Sequence, residues 1–522
     1  MKLNKYKVLF ICLAVLFLNG CNLIDGFLEV DPSKSTRKTI QTAEQLDMVL
    51  ARYTGFYQEN PDIMLASDDY AIRTDINSAM NSGYSIYQLV YGLWNEKNNV
   101  DTRYHTWGKE YGKAYYANLV INNIDNVEGE ESFKANLKAE AHFLRAYCYF
   151  QIALAHSLYY TGSNGDELGI TLKQSTSFEE SVARATLKET WDFIEADLQE
   201  GLKLTKPFKN KDGRNQNWRA TTASVKAFAA RYYLYRADYD KARKYAEEVL
   251  REYSVLKNYN NPTEMYRHSY VDKYTINQGT PQQEVITVYY PYTYPQLYGE
   301  ATYVLFAEWS EMLYMRACYY GSWWYIPSKD LLDTYRTDVP GEDPNNDLRY
   351  YYYVLPDFGL RYCEKTTRGR QPGYCQFFFD TVISGPTTAE MNLIIAECAA
   401  RNGNIADAMK YVNNVRRNRI VSAVYVDLTA SSQADALKKV LQERRREMAF
   451  TMRWYDLKRL NANDPANQVT VTRTFYPYNE TTIQTGETPK SYVLEPNSRH
   501  YALPISEDEI NKSKGEIQQN TY

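Results

Sequence analysis

The chain holds 50 tyrosines and 8 tryptophans against only 5 histidines. Tyrosine combines a flat apolar ring with a hydrogen-bonding tip, a combination suited to wet, amphipathic binding surfaces. The informative feature is clustering in the middle of the chain: Tyr289, Tyr290, Tyr292, Tyr294 and Tyr298, then Trp309, then Trp323, Trp324 and Tyr325. Covalent chemistry has no comparable support. His105, His142, His156, His268 and His500 show no metal spacing such as HxxxH or HExxH, and the chain has no GxSxG elbow, P-loop, GxGxxG or CxxC. Asp68-Asp69, Glu179-Glu180 and Glu247-Glu248 are carboxylate neighbours in sequence, whereas the acids of a glycosidase are set by distance in space. The residue types point to non-covalent binding and not to an enzyme.

Charge narrows the partners. A net charge of −4 over 522 residues argues against a nucleic-acid surface. The runs RRNR (416–419) and ERRRE (443–447) look basic, but on a helix Glu443 reaches Arg446 and Glu447, which reads as a salt-bridge network. The N-terminus carries Lys2, Lys5 and Lys7, then the apolar run Val8–Leu18, then Asn19-Gly20-Cys21. That is a secretory signal, too short to cross a bilayer, which takes ~20 residues. A cysteine directly after Gly20 looks like a bacterial lipobox, which implies cleavage before Cys21 and lipid on its sulfur. Export permits disulfides; Cys363 and Cys375 flank a short loop-like stretch and are the best candidate pair, while Cys148 and Cys398 lie in helical patterns and read as buried thiols.

Several helices must position these residues. Apolar spacing predicts helix from Ala43 to Tyr57, about Trp107 to Asp125, about Phe133 to Ser157, over 186–204 and 220–236, then 386–402, 404–419 and about 434–460. Residues 58–100, with Asp68, Asp69, Arg73, Trp94 and Asn98, read as mixed and loop-rich. Residues 238–249 (DYDKARKYAEEV) and 404–415 (NIADAMKYVNNV) align without a gap, sharing Ala242/Ala408, Lys244/Lys410, Tyr245/Tyr411 and Val249/Val415. Each follows a turn after an alanine-rich helix, a repeat of tetratricopeptide type. Residues 255–385 change character, with strand-like pieces such as EVITVYY (284–290) among Pro, Gly and Tyr; the Tyr350–Tyr353 run reads as strand. The expected organisation is a signal peptide (1–20), a lipidated tether (21–42) and one domain over 43–522. That domain is mostly α: a tetratricopeptide-like scaffold of helical pairs (about 43–254 and 386–460), interrupted by a large, irregular, aromatic-rich insert with short strands (about 255–385) and followed by a C-terminal loop region (461–522).

The motifs, taken in order, resemble the SusD/RagB-like surface lipoproteins of Bacteroidetes-type bacteria. The tether reads CNLIDGFLEVDP; W-x3-Y-x6-N appears as Trp107, Tyr111 and Asn118; AEAHFLRAYCYF (139–150) resembles the family's most recognisable helix. RATTASVKAFAARYYLYRADYDKA (219–242) and AEMNLIIAECAARNG with VNNVRRNR (389–419) resemble its next two blocks. The ER-x2-E…RW-x-DL-x-R signature appears as Glu443, Arg444, Glu447, Arg453, Trp454, Asp456, Leu457 and Arg459, and the chain ends ALPISEDEINKSKGEIQQNTY. The stretch after the FLRA helix departs from the family, reading HSLYYTGSNGDELGITL without the usual proline, so the surface at 157–172 is its own.

The resemblance implies a SusD-like α-α superhelix lipid-anchored on the outer face of the outer membrane. The protein would capture a glycan without catalysis and deliver it to a SusC-like TonB-dependent transporter. Sugars present C–H faces that pack on rings and hydroxyls that need planar polar partners. The expected contacts are Trp323, Trp324, Tyr325, Tyr292, Tyr294, Tyr298 and Trp309 in the insert, with Asp68, Asp69, Arg73, Trp94 and Asn98 in the early loops. Peptide capture, as in some family members, and a purely protein-docking scaffold remain alternatives. No cofactor is implied, and a structural calcium ion is not readable from the sequence.

Overall fold

The computed structural model describes residues 40–95, 105–265, 271–289, 309–319, 324–376 and 381–522. Its long helices are α1 (Ala43–Leu50), α2 (Thr106–Asn123), α3 (Glu131–His156), α4 (Leu187–Gly201), α5 (Thr222–Tyr235), α6 (Tyr239–Glu252), α7 (Thr388–Arg401), α8 (Ile405–Arg416), α9 (Gln433–Glu447) and α10 (Arg453–Asn463). Sequential neighbours pack as pairs (α2 on α3, α3 on α4, α5 on α6, α7 on α8), and α6 packs on α7, joining the two halves of the scaffold.

Local chemistry explains the boundaries. Glu130 caps α3 by accepting from the backbone of Ser132 and Phe133, and Thr186 and Glu189 form a capping box on α4. From Ala139 to His156 nearly every α3 side chain is buried, so this alanine-rich helix is the central strut. The repeat is structural. Ala237 (φ 59°) and Gly403 (φ 77°) both take the left-handed conformation, and the next residues, Asp238 and Asn404, cap α6 and α8 from matching backbone angles. Ala242, Ala408, Val249 and Val415 are fully buried, letting α6 and α8 lie close on their neighbours.

Buried ion pairs lace the scaffold to the insert. Glu443 accepts from Arg416 and Arg446 and is ion-paired with Arg349; Arg419 grips Glu311 and Glu447; Arg444 and Arg459 share Asp456, and Arg459 also holds Glu397. ERRRE is therefore an ion-pair network, but a buried one that reaches other elements.

Three expectations are corrected. The 434–460 helix is two, because the chain turns at Phe450 (φ 66°) between α9 and α10. Residues Leu348–Tyr353 form a short helix and not a strand, with Asp347 capping it from the backbone of Arg349. Cys363 and Cys375 are buried thiols without a disulfide between them; Cys363 is bridged to Met80 and the Cys375 amide donates to Tyr353. The insert does carry the expected Glu284–Tyr289 strand, antiparallel to Val271–Ile276, and the C-terminal region pairs Val471–Phe475 with Lys490–Leu494. No helix among the described residues is long and apolar enough to cross a membrane; Cys21 and residues 22–39 lie outside them.

Candidate ligand face

The two regions singled out in the sequence meet along one seam. The early loop between the short helices Asp62–Ala66 and Thr74–Ala79 runs against residues 324–328 of the insert. The Ala71 amide donates to Ile326 O at 2.8 Å, the Ser328 amide to Asp69 O at 2.8 Å, and Tyr70 bridges Pro327.

The side chains beneath this seam hold it. Asp68 accepts from Arg453 Nε at 2.6 Å and Nη2 at 2.7 Å, and lies 3.3 Å from Arg445 Nη2. Burial pushes the Asp68 carboxyl up, but Arg453 and Arg445 outweigh it and hold it well below the usual range. Asp69 accepts from Arg445 Nε and from the Phe450 amide, each at 2.8 Å. Burial raises its carboxyl, the adjacent Asp68 charge adding to the effect against the pull of Arg445. Arg473 donates to the carbonyls of Leu65, Gly92, Ser67 and Tyr70, and its guanidinium lies 4.9 Å from the centre of the Trp94 ring. Desolvation lowers it to about 10.

The aromatic expectations divide. Trp94 is 4 % exposed and donates Nε1–H to Ala66 O at 3.0 Å. Trp324 is 3 % exposed, stacked on Tyr362 (5.7 Å, 6° between planes), and donates to Pro372 O. Tyr325 is fully buried against Phe450, and Trp309 is buried under Lys257. Asp69, Trp94, Trp324 and Tyr325 thus support the seam from below instead of facing solvent; Asp68, 8 % exposed and held by Arg453 and Arg445, borders the cleft at Arg73, and Trp309 is buried elsewhere, against Tyr259 and Lys257. Trp323, Tyr292, Tyr294, Tyr298 and Asn98 lie outside the described residues.

Arg73 is the expected site residue that stands open. Its side chain is 52 % exposed and paired with Asp75, itself 54 % exposed. It borders a cleft of about 270 Å³ whose walls include Asp68, Ser328, Lys329, Asp330 and residues 469–474. Val471, Arg473 and Phe475 point inward; Thr472 and Thr474 point outward, so the cleft presents hydroxyls beside a guanidinium. This suits a polar, hydroxyl-bearing ligand held by hydrogen bonds. No group of three or more His, Cys, Asp or Glu able to hold a metal occurs among the described residues.

Arg445 and Arg473 were not singled out by sequence. Arg473 does leave a signal: an arginine on the inward face of an alternating strand (Val471, Arg473, Phe475) demands a buried partner, here a cage of carbonyls. The W-x3-Y-x6-N residues also turn out to be braces. Tyr111 donates to Thr171 O at 2.6 Å and Asn118 to Lys173 O at 3.1 Å, with Arg145 fixing the Asn118 carbonyl, so they hold the end of the 157–172 stretch in place.

The chain can now be set beside known proteins. A family model described as "Starch-binding associating with outer membrane" matches residues 26–234, and one described as "SusD family" matches residues 388–522. The "SusD-like protein P2" of Formosa agariphila is 24 % identical over 504 residues, covering 88 % of this chain and 91 % of that one. A SusD superfamily protein from Bacteroides thetaiotaomicron superposes with a TM-score of 0.60 at 17 % identity, covering 92 % and 100 % of the two chains. Surface glycan-binding protein A from Bacteroides uniformis superposes with a TM-score of 0.60 at 15 % identity, covering 92 % and 99 %.

Proposed function

Because the chain belongs to the SusD/RagB-like family of glycan-binding proteins, we propose that it captures an oligo- or polysaccharide at the cell surface, tethered to the outer membrane by lipid on Cys21, and delivers it to a SusC-like TonB-dependent transporter. The protein performs no covalent step. The observation that carries the reading is the open cleft at Arg73, where a half-exposed guanidinium and outward threonines stand over a rigid, ion-paired base. Arg73 bonds ring hydroxyls. Trp323, Tyr292, Tyr294 and Tyr298 supply the apolar faces on which sugar C–H groups pack, and Asn98 adds an amide. The buried residues of the seam keep Arg73 and the cleft threonines in register, which limits the ordering cost on binding.

The test is affinity electrophoresis of the chain from Asn22 onward in gels containing soluble polysaccharides. Retardation by one polymer, lost in Trp323→Ala and weakened in Arg73→Ala with unchanged melting, is the expected result. Retardation unaffected by either change sinks this assignment of the contacts. No retardation by any polymer sinks glycan capture.

A further inference from the structure

A second concavity lies on the helical scaffold, built from elements remote in sequence from the cleft at Arg73. Helices α6 and α8 flank α7 and leave a groove of about 580 Å³ between them. Its walls are helical stripes. Leu250, Arg251 and Ser254 line it from α6 and the residues just after, spaced i, i+1 and i+4. Tyr411, Asn414 and Asn418 line it from α8 and its end, spaced i, i+3 and i+7. Leu250 and Leu256, both half-buried, give the groove its apolar surface over the fully buried Ile395 of α7.

The polar groups have unspent capacity. Asn414 donates one N–H to Asn392 Oδ1, and Asn418 donates one to the Asn414 carbonyl. A side-chain amide has two donors and a carbonyl acceptor, so each asparagine can still both give and take a hydrogen bond. Arg251 is exposed and has no acidic partner among the described residues. Arg417, which also borders the groove, is paired only with Asp427, and both are more than half exposed. Such a surface pair is worth no more than about 1 kcal/mol, so an incoming carboxylate can exchange for it. Glu247 lines the groove as well, but its carboxylate is held by Arg243 at 2.7 Å, so Arg251 is the lining charge left without an opposite partner among the described residues, beside leucine surface and side-chain amides.

We propose that the α6–α7–α8 groove docks an extended, acidic peptide segment of a partner protein, Arg251 taking a carboxylate and Asn414 and Asn418 taking the peptide backbone. Spacing fits this occupant. Asn418 lies in the turn just past α8, where its amide still donates to the Asn414 carbonyl one turn back, and a helical turn of ~6 Å approaches the ~6.6–6.8 Å repeat of alternate residues in an extended peptide. Leu250, Leu256 and Tyr411 accept an apolar side chain from the opposite edge. The unpaired Arg251 sets the sign of the charge. A neutral glycan offers nothing for it, and a single ring at Tyr411 is a poor platform for a sugar chain. The inference stands apart from glycan capture and fails or survives independently of it.

The experiment is selection of random dodecapeptides on the immobilised chain from Asn22 onward, with counter-selection on Arg251→Glu. Arg251 makes no ion pair among the described residues, so its replacement leaves the fold intact, as melting checks; Asn418→Asp is a second variant that brings a carboxylate into the groove and gives up only the hydrogen bond to the Asn414 carbonyl, which melting checks too. The expected result is enrichment of peptides with Asp or Glu near an apolar residue. Their fluorescein-labelled copies should lose at least tenfold in affinity to either variant and weaken as salt rises. Synthesis with a C-terminal acid or amide then tells a terminal carboxylate from a side-chain one, either answer supporting the groove. Enriched peptides without acidic residues, or peptides that bind both variants as tightly as the parent, overturn the proposal. Displacement of the peptide by a hexauronate at lower concentration than by unlabelled peptide reassigns the groove to acidic glycans and overturns it as well.

Discussion

Replacing Asp68 by Asn separates support from contact at the seam. The carboxylate is 8 % exposed, makes two bonds of 2.6 and 2.7 Å to Arg453, and is 3.3 Å from Arg445. Arg445 keeps Asp69 in the variant, but Arg453, whose side chain is 10 % exposed, loses the carboxylate that takes both of its hydrogen bonds. Breaking a buried pair and stranding one charge costs about 3–5 kcal/mol. Because Arg445 is still compensated, the lower end applies, about 3 kcal/mol. Arg453→Met should cost about the same alone, and the double variant clearly less than the sum, with a coupling of at least about 1.5 kcal/mol. Arg73→Ala, at an exposed pair, should cost less than about 0.5 kcal/mol. Urea unfolding at pH 7 followed by tryptophan fluorescence measures all four, with gel retardation run on the same samples. A loss below 1 kcal/mol for Asp68→Asn, together with abolished retardation and unchanged retardation in Arg73→Ala, would refute the reasoning and make Asp68 a ligand contact.

Three further outcomes follow from named positions. Ala237 and Gly403 occupy equivalent left-handed positions, so Ala237→Gly should gain and Gly403→Ala lose roughly 0.5–1 kcal/mol, read as opposite shifts in melting temperature. Trp324→Ala empties the space against Tyr362 and strands Pro372 O, and should cost about 3–5 kcal/mol by urea midpoint. Burial pushes the Glu397 carboxyl up, but Arg459 and Arg401 outweigh it and bring it down to about 2, against an unfolded value of 4.5. Its stabilisation, about 3 kcal/mol, is therefore present above pH ~4.5 and lost as pH falls toward ~2. Glu397→Gln should flatten the urea-midpoint profile across that window and leave the chain less stable at pH 7; an unchanged acid limb would count against the ion pair.

Local signals carried much of the fold. The AEAHFLRAYCYF pattern gives α3, and the paired DYDKARKYAEEV and NIADAMKYVNNV segments give α6 and α8, because helix periodicity, capping and small-residue contacts are written within a dozen residues. The break between α9 and α10 was not legible. It depends on the Phe450 amide donating to Asp69, and nothing near position 450 announces that. The Tyr350–Tyr353 run misled for a different reason: a short aromatic stretch fits strand and helix alike, and a cap at Asp347 decided it. At the candidate ligand face, residue types were readable but partners were not. Asp68, Asp69, Trp94 and Trp324 have the chemistry of a sugar site, yet arginines and rings far along the chain already engage them. Arg73 differs in that its own neighbour Asp75 is its partner, which leaves it at the surface.

The arginine cage around the early loop also sets an order of events in time. Asp68 meets Arg453 across 385 residues, Asp69 meets Arg445 across 376, and Arg473 reaches Leu65 across 408. The pairs α2–α3, α5–α6 and α7–α8, by contrast, close through short turns. Contacts of low sequence separation form fast, while long loops must be closed before distant contacts can form. A chain emerging N-terminus first makes the early loop among its first segments and fixes it among its last, after α9, α10 and the Val471–Phe475 strand have arrived. The helical pairs up to α8 can thus form before the candidate ligand face is fixed, and a chain stopped short of residue 473 lacks the guanidinium that ties the early loop down.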